Sequence, residues 1–398
     1  MTDDLFSPAL AELAENGLLR RATAFDGGDG RTVTLDGKRY LLFCSNDYLR
    51  LSHDPRIIEA VKEGLDRYGF GSGGSRLISG TRAPHAQLEK AIAEFLRAEA
   101  ALLFSSGYSA NTGCIPALAG KGDAILADKL NHASLVDGCL LSKADFHRYP
   151  HRNMAALEKL LQKTAGAKTR WIVTDGLFSM DGDLAPLDAL CGLAKKHHAR
   201  VYVDDAHAFG VLGANGRGTA ELFGVGESVD ITVGTLGKAA GGMGAFAAGK
   251  KSAVDFLLNK ARSFIFSTAM PPADAAGNLK AVEILADFHE GRKRFLEGIE
   301  NFHTRLKVQN LETSSKTYII PLVIGEAGAT VSTAKLFWDG GVFLQAVRPP
   351  AVPEGTSRLR LTLSLAQTDE DRETLLAVMK KALPAGAEEE NGPSKRKR

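Results

Sequence analysis

The chain has 398 residues, 44% hydrophobic and 24% charged, with 49 Lys plus Arg against 47 Asp plus Glu. That composition suits a globular protein with room for two or three domains, and it excludes a fibre or a chain disordered throughout. A formal charge of +2 is too near balance to hold nucleic acid or a membrane surface by its long-range field, so the expected partners are small molecules.

The first residues carry no basic region ahead of an apolar stretch, and no later run approaches the roughly 20 apolar residues of a membrane helix, which predicts a cytoplasmic protein. Residues 1–45 read as an N-terminal arm, with a short amphipathic helix through Leu10, Leu13, Leu18 and Leu19 and a hairpin over 31–43 turning at Asp36-Gly37. Helical spacing follows over 57–68 and again at Leu88, Ile92, Phe95 and Leu96, behind Pro84. Strands then alternate with helices: 101–104, 171–174, 201–203 and 231–233 are apolar runs, each followed by polar or small residues. The expected fold class is α/β, a mainly parallel, doubly wound large domain over 46–275. Past Met270-Pro271-Pro272 a long helical stretch, 273–306, leads to a smaller α+β domain over 276–384, with strands at 319–324, 341–344 and 358–363. The polar end, 385–398, is expected to be disordered.

The 42 glycines cluster, notably at 69–74, 213–218 and 234–244, where backbone must turn tightly or approach a ligand. Residues 69–74 fit G-x-G-x-x-G, yet helical periodicity rather than a strand precedes them, which disfavours a dinucleotide site. Gly237-Lys238 looks like the end of a P-loop, but Thr232 replaces its first glycine and Ala239 stands where a magnesium-binding hydroxyl is needed. No histidine or cysteine pair has metal-ligand spacing, so no metal is expected, and the four cysteines read as buried thiols.

Two runs stand out. Val201-Tyr202-Val203-Asp204-Asp205-Ala206-His207 and Ile231-Thr232-Val233-Gly234-Thr235-Leu236-Gly237-Lys238 bring an acid, an imidazole, a hydroxyl and an amine to strand carboxyl ends, where open α/β sheets bind ligands. That set suits pyridoxal phosphate: an amine for the aldehyde, an acid for the pyridine nitrogen, and a hydroxyl with N–H groups for the phosphate.

Seven ordered segments resemble the α-oxoamine synthases: Ser45-Asn46-Asp47-Tyr48-Leu49, Gly71-Ser72-Gly73-Gly74-Ser75-Arg76, Ser79-Gly80-Thr81, Asn131-His132-Ala133-Ser134, Phe178-Ser179-Met180-Asp181-Gly182-Asp183, Asp204-Asp205-Ala206-His207 and Gly234-Thr235-Leu236-Gly237-Lys238. The resemblance covers about residues 20–375. It implies a fold-type I, aspartate aminotransferase-like enzyme that binds pyridoxal phosphate, condenses an amino acid with an acyl thioester, and releases carbon dioxide. The run 347–363, with Arg348-Pro349-Pro350 and Gly355-Thr356-Ser357-Arg358-Leu359-Arg360, is similar to members that take L-alanine and a pimeloyl thioester, on coenzyme A or a carrier protein; the alternative is a member joining glycine and acetyl-CoA. Two positions depart from the pattern. Ala351 stands where threonine is common, and Arg50 where glycine is usual.

Carried over by motif, the resemblance implies Lys238 as the Schiff-base lysine and Asp204 as the acid at the pyridine nitrogen. Asp205 is the competing acid, and the family pattern favours the one three residues before His207. His207 and Ser179 are implied near the ring hydroxyl, and His132 against one ring face, where its other reading is a buried histidine satisfied by backbone. Thr235 and the N–H groups of Gly107 and Tyr108 are implied at the phosphate. Arg360 is implied at the amino-acid carboxylate, though a structural ion pair is nearly as good a reading. Asn46 is implied as its helper. Arg20 corresponds to a position near the thioester, with Arg21 beside it. Ser75, in a loop that reaches the partner's cofactor in relatives, implies a homodimer.

Overall fold

The computed structural model describes residues 4–311 and 313–383, and the chain divides into two compact units. The expected disordered tail, 385–398, lies outside the described residues. One unit comprises 46–179 and 183–295; the other comprises the chain up to Ser45, Met180–Gly182 and the chain from Leu296.

The first unit is built on seven strands: β1 (Ala100–Phe104), β2 (Ala124–Asp128), β3 (Asp145–Tyr149), β4 (Arg170–Asp175), β5 (Arg200–Asp204), β6 (Ile231–Thr235) and β7 (Ala245–Gly249). Their order across the sheet is β1-β7-β6-β5-β4-β2-β3. Only β7 runs against its neighbours, pairing antiparallel with both β1 and β6, while the other pairings are parallel. Because β7 reverses twice, β1 again points the same way as β6. The carboxyl ends of β1, β2, β4, β5 and β6 therefore open on one edge, where α/β sheets hold ligands.

Alternation along the strands supplies two cores. Ile125, Ala127, Val173 and Val233 join Cys114, Ile115, Leu135 and Leu257 on one face; Ala124, Leu126, Ile172 and Val203 join Leu157, Leu161, Leu187 and Leu190 on the other. That is the doubly wound architecture expected. Three of the seven strands escape the sequence pattern: Ala-rich β2 and β7 lack the β-branched run that marks a strand, and β3 is a polar edge strand.

The expected single helical stretch over 273–306 is two helices, Pro272–Ala286 and His289–Val308, interrupted at Asp287-Phe288. The first is small-residued and closely packed: a Cβ added at Gly277 would stand 2.5 Å from Val61, on the helix Pro55–Tyr68. The division between units falls inside the second.

In the other unit the N-terminal hairpin forms as expected, Thr32–Leu35 with Lys38–Leu42, and both turn residues have positive φ, Asp36 at 51° and Gly37 at 72°. The N-terminal helix is shorter than expected, Ser7–Glu15, and leaves Leu18 and Leu19 beyond its end. The hairpin is not an isolated arm, since Val342–Phe343 extends its sheet by pairing parallel with Lys38–Leu42. The strands expected at 319–324 and 358–363 pair antiparallel, Ile319 opposite Thr362 and Pro321 opposite Arg360.

Candidate functional site

Lys238 follows β6 in a tight loop that returns directly into β7. Leu236 N–H donates to Gly244 O at 2.9 Å and Gly242 N–H to Leu236 O at 2.8 Å. Gly241 has φ of 71°, and a Cβ there would stand 2.2 Å from the Ser52 nitrogen, so this loop can carry only glycine at that point. The Thr235 hydroxyl donates to Gly244 O (2.9 Å) and accepts from Gly237 N–H (3.2 Å). It builds the loop that presents the lysine.

The amine of Lys238 lies 2.8 Å from His207 Nε2. His207 is buried just past the end of β5, and its Nδ1 lies 2.7 Å from the Tyr48 hydroxyl. That hydroxyl also donates to Asn46 Oδ1 at 3.1 Å. With its proton on Asn46, Tyr48 accepts from an Nδ1–H tautomer, which leaves Nε2 as the acceptor facing Lys238. Arg50, two residues after Tyr48, takes the left-handed conformation at φ 60°, in keeping with the glycine usual in the similar family.

Three buried carboxyls, Asp175, Asp204 and Asp205, sit at the ends of β4 and β5, with Asp175 opposite Asp204 in the ladder. Asp204 accepts from Asn111 Nδ2 at 2.6 Å and from Ala206 N–H at 2.9 Å. Asp205 points elsewhere: it accepts from the Thr219 N–H (2.8 Å) and pairs with the Thr219 hydroxyl (2.5 Å), at the start of the short helix Thr219–Leu222. The two adjacent acids thus have different partners, Asn111 and Ala206 N–H for the first and Thr219 for the second. Burial, reinforced by Asp204, drives the Asp175 pKa well above the usual carboxylate range, and burial pushes Asp205 up to about 7, so the trio does not carry three charges.

Asn111 organises this centre. It lies one turn into the helix Gly107–Leu118, whose first residues are expected at a phosphate and whose Ser106 caps the start by accepting from Ser109 N–H. Its Nδ2 reaches both Asp204 and Ser134 Oγ (2.9 Å), while its Oδ1 accepts from the Tyr202 hydroxyl at 2.8 Å. Ser134 in turn holds His132 Nδ1 at 2.7 Å, and His132 N–H donates to Asp175 Oδ2 at 2.7 Å. The His132 ring keeps an open side, yet surrounding protein lowers its pKa against the pull of Asp204, which favours the neutral imidazole. The Tyr108 ring stands edge-on to it at 6.5 Å, its hydroxyl bonded to Asp137.

Lys238, His207, Asp204, His132, Gly107, Tyr108 and Thr235 therefore all lie at the carboxyl-end edge of one sheet, and Asn46 joins through Tyr48. Ser179 follows β4 in the loop closed by the Leu177–Leu184 bridge. Ser75 begins the turn Arg76–Gly80, beside exposed Leu77 and Ile78, and is bridged to Thr268. Arg20 and Arg360 belong to the other unit. There Arg20 donates to the carbonyls of Arg348 and Pro349, and Arg360 is buried on the strand Ser357–Thr362. The sequence reading misses Asn111, which sits in no recognisable motif, and gives no role to Asp175 or Tyr48. Cys114, Cys139 and Cys191 are buried thiols as expected, and Cys44 is half-buried.

Residues 38–379 match the family model "Aminotransferase class I and II". The 8-amino-7-oxononanoate synthase of Citrifermentans bemidjiense is 50% identical over 362 residues, covering 90% of this chain and 92% of that one. The enzyme of the same name from Geobacter metallireducens is 49% identical, covering 94% and 96%. Among solved structures, serine palmitoyltransferase from S. paucimobilis, with a bound PLP–myriocin adduct, superposes with a TM-score of 0.90 at 31% identity, covering 95% of this chain and 97% of that one. The 8-amino-7-oxononanoate synthase of Francisella tularensis gives 0.75 at 30% identity, covering 86% and 97%.

Proposed function

The chain belongs to the aminotransferase class I and II family, in its α-oxoamine synthase branch, and on that premise we propose that it condenses L-alanine with a pimeloyl thioester, releasing carbon dioxide and the thiol carrier to give 8-amino-7-oxononanoate for biotin synthesis. The observation that carries the chemistry is the amine of Lys238 held 2.8 Å from His207 on the same sheet edge as the buried carboxylate of Asp204. A positionable amine, an acid whose oxygens both accept, and a capped helix start are the donor set that pyridoxal phosphate needs. Bound there, the cofactor supplies an aldehyde for the amine and a ring that accepts the electron pair left when a bond to the amino-acid Cα breaks.

The protein's own residues do the rest. Asp204, steadied by Asn111, would hold a proton on the pyridine nitrogen. Backbone N–H groups of Gly107 and Tyr108 would bind the phosphate, with the helix dipole behind them, and Thr235, which builds the Lys238 loop, would assist there. Ser179 and His207 would hydrogen-bond at the cofactor's ring hydroxyl, and His132 would support the ring. Lys238 takes the proton from the alanine Cα, and His207 Nε2 orients the amine for that transfer. By the pattern of the similar family, Arg360 would take the alanine carboxylate in a two-pronged hydrogen bond, and Asn46 is the helper that the same pattern assigns. Arg20 is assigned to the thioester by the pattern of the similar family alone. His132 donates to the oxygen that becomes negative as the thioester carbonyl is attacked.

Ser75 supports a homodimer in which one subunit's loop reaches its partner's cofactor. The described residues include no helix long and apolar enough to cross a membrane, and the proposed biosynthetic role suits the cytoplasm. Assay of alanine with pimeloyl-CoA and pimeloyl-carrier protein, beside glycine with acetyl-CoA and serine with palmitoyl-CoA, tests the substrate assignment. Carbon dioxide release is expected with the pimeloyl donors and alanine. Faster turnover of either other pair would overturn it.

A further inference from the structure

A second charged group, used by none of the steps above, ties together the bases of two loops that carry cofactor residues. Asp128 ends β2 and is almost wholly buried. Its Oδ1 accepts from Leu130 N–H at 2.9 Å, which shapes the first turn of the loop leading to His132. Asp183 closes the loop that carries Ser179, its carbonyl accepting from Phe178 N–H at 2.9 Å beside the Leu177–Leu184 bridge. Between the two carboxylates stands His151. Its Nδ1 lies 2.9 Å from Asp128 Oδ1 and its Nε2 2.9 Å from Asp183 Oδ2, and its ring packs edge-on against Phe178 with centroids 4.5 Å apart. A neutral imidazole has one N–H and could serve only one of these carboxylates as donor; satisfying both requires the cation. Arg152 reinforces the bridge, N–H to Asp128 Oδ2 at 2.8 Å and Nη1 to Asp183 Oδ2 at 2.9 Å.

We propose that His151, as an imidazolium, is a positioning residue that clamps the 128–132 loop to the 177–184 loop, so that His132 and Ser179 are presented to the cofactor together. The inference rests on the cofactor site proposed above, although the clamp itself does not need the cofactor to form. The groups facing the ring are Asp128, Asp183 and, across Asp183, Arg152. Burial opposes its charge, but the two carboxylates prevail and raise its pKa to about 9. A folded-state pKa above the unfolded one means that the clamp is fully present below about pH 6.5 and is lost as pH rises through about 9.

The test uses the full chain with His151→Gln and Asp183→Asn. In cofactor-free protein near neutral pH, hydrogen–deuterium exchange is expected to rise in both 129–132 and 177–179 in each variant, with the rest of the sheet unchanged. In the loaded protein, absorbance titration is expected to show pyridoxal phosphate held about tenfold more weakly, the low end of what losing an outer supporting group costs. Wild type is expected to lose the same affinity as pH rises through about 9, while H151Q lacks that step. A uniform drop in melting temperature without local exchange, or a wild-type affinity flat across that range, would overturn the clamp. Should no variant, wild type included, bind the cofactor while both loops still loosen, it is the cofactor site that fails and not the clamp. If neither variant folds, the pH series on wild type decides alone.

Discussion

Replacing Asn111 with alanine removes three buried hydrogen bonds at once: Nδ2 to Asp204 at 2.6 Å, Nδ2 to Ser134 at 2.9 Å, and the Tyr202 hydroxyl to Oδ1 at 2.8 Å. A neutral buried bond contributes about 1 kcal/mol and one to a carboxylate about 2 kcal/mol, so the loss is about 4 kcal/mol. Melting of cofactor-free protein should accordingly fall by about 5 °C, at an unfolding entropy of about 2.1 cal/mol/K for each of the 398 residues. About half of that loss falls on the acid proposed at the pyridine nitrogen. If it is transmitted in full, pyridoxal phosphate binds about 30-fold more weakly, since each 1.4 kcal/mol is a factor of about ten. Asn111→Asp sharpens the test by putting a second carboxylate where Nδ2 now donates to Asp204. One of the two must then hold a proton, so the variant's stability deficit should be small below about pH 4 and grow as pH rises, because the unfolded chain gives up that proton first. Differential scanning fluorimetry across pH and absorbance titration of the cofactor measure both effects. Wild-type melting and affinity in both variants would refute the role assigned to Asn111.

Two adjacent acids should behave oppositely. Burial raises Asp205 to about 7, so the folded protein binds its proton more tightly than the unfolded chain, and ionising it lowers stability as pH rises from about 4 to about 7. Asp205→Asn keeps an acceptor for Thr219 N–H and a donor for its hydroxyl, so at about pH 8 it should melt no lower than wild type, whereas Asp204→Asn should lose nearly all turnover; equal damage in the pair would contradict their assignment. Tyr48→Phe removes the partner of His207 Nδ1 and should lower kcat about tenfold, equivalent to the roughly 1.4 kcal/mol of one such bond, with KM for alanine little changed. A changed KM with kcat intact would place Tyr48 in substrate binding and not in orienting His207.

How much of this is legible in the sequence depends on which physics writes itself there. Strands such as Arg170–Asp175 and Arg200–Asp204, buried on both faces, appear as β-branched and aromatic runs and can be read directly. Ala245–Gly249 is just as buried, but its alanines and glycines answer to the packing of neighbours: a Cβ at Gly234 on β6 would meet the Phe246 ring at 2.3 Å. Nothing local announces that, nor that its antiparallel course keeps β1 aligned with the rest. The candidate site is readable where ordered motifs mark it, as with Lys238, Asp204, His207 and His132, which the fold brings to one sheet edge. Asn111 is not, because a polar residue on a helix looks like a solvated face until the fold turns it toward Asp204. The proposed choice of Asp204 over Asp205 needs the pattern of the similar family, and the bonds of Asp205 to Thr219 are in keeping with it.

Borohydride reduction of the protein loaded with pyridoxal phosphate, followed by peptide mass analysis, tests the site most directly. The amine beside His207 predicts a single pyridoxyl-labelled peptide containing Lys238, and its absence in Lys238→Ala. Label on another lysine, or a loaded protein with no label at all, would contradict it.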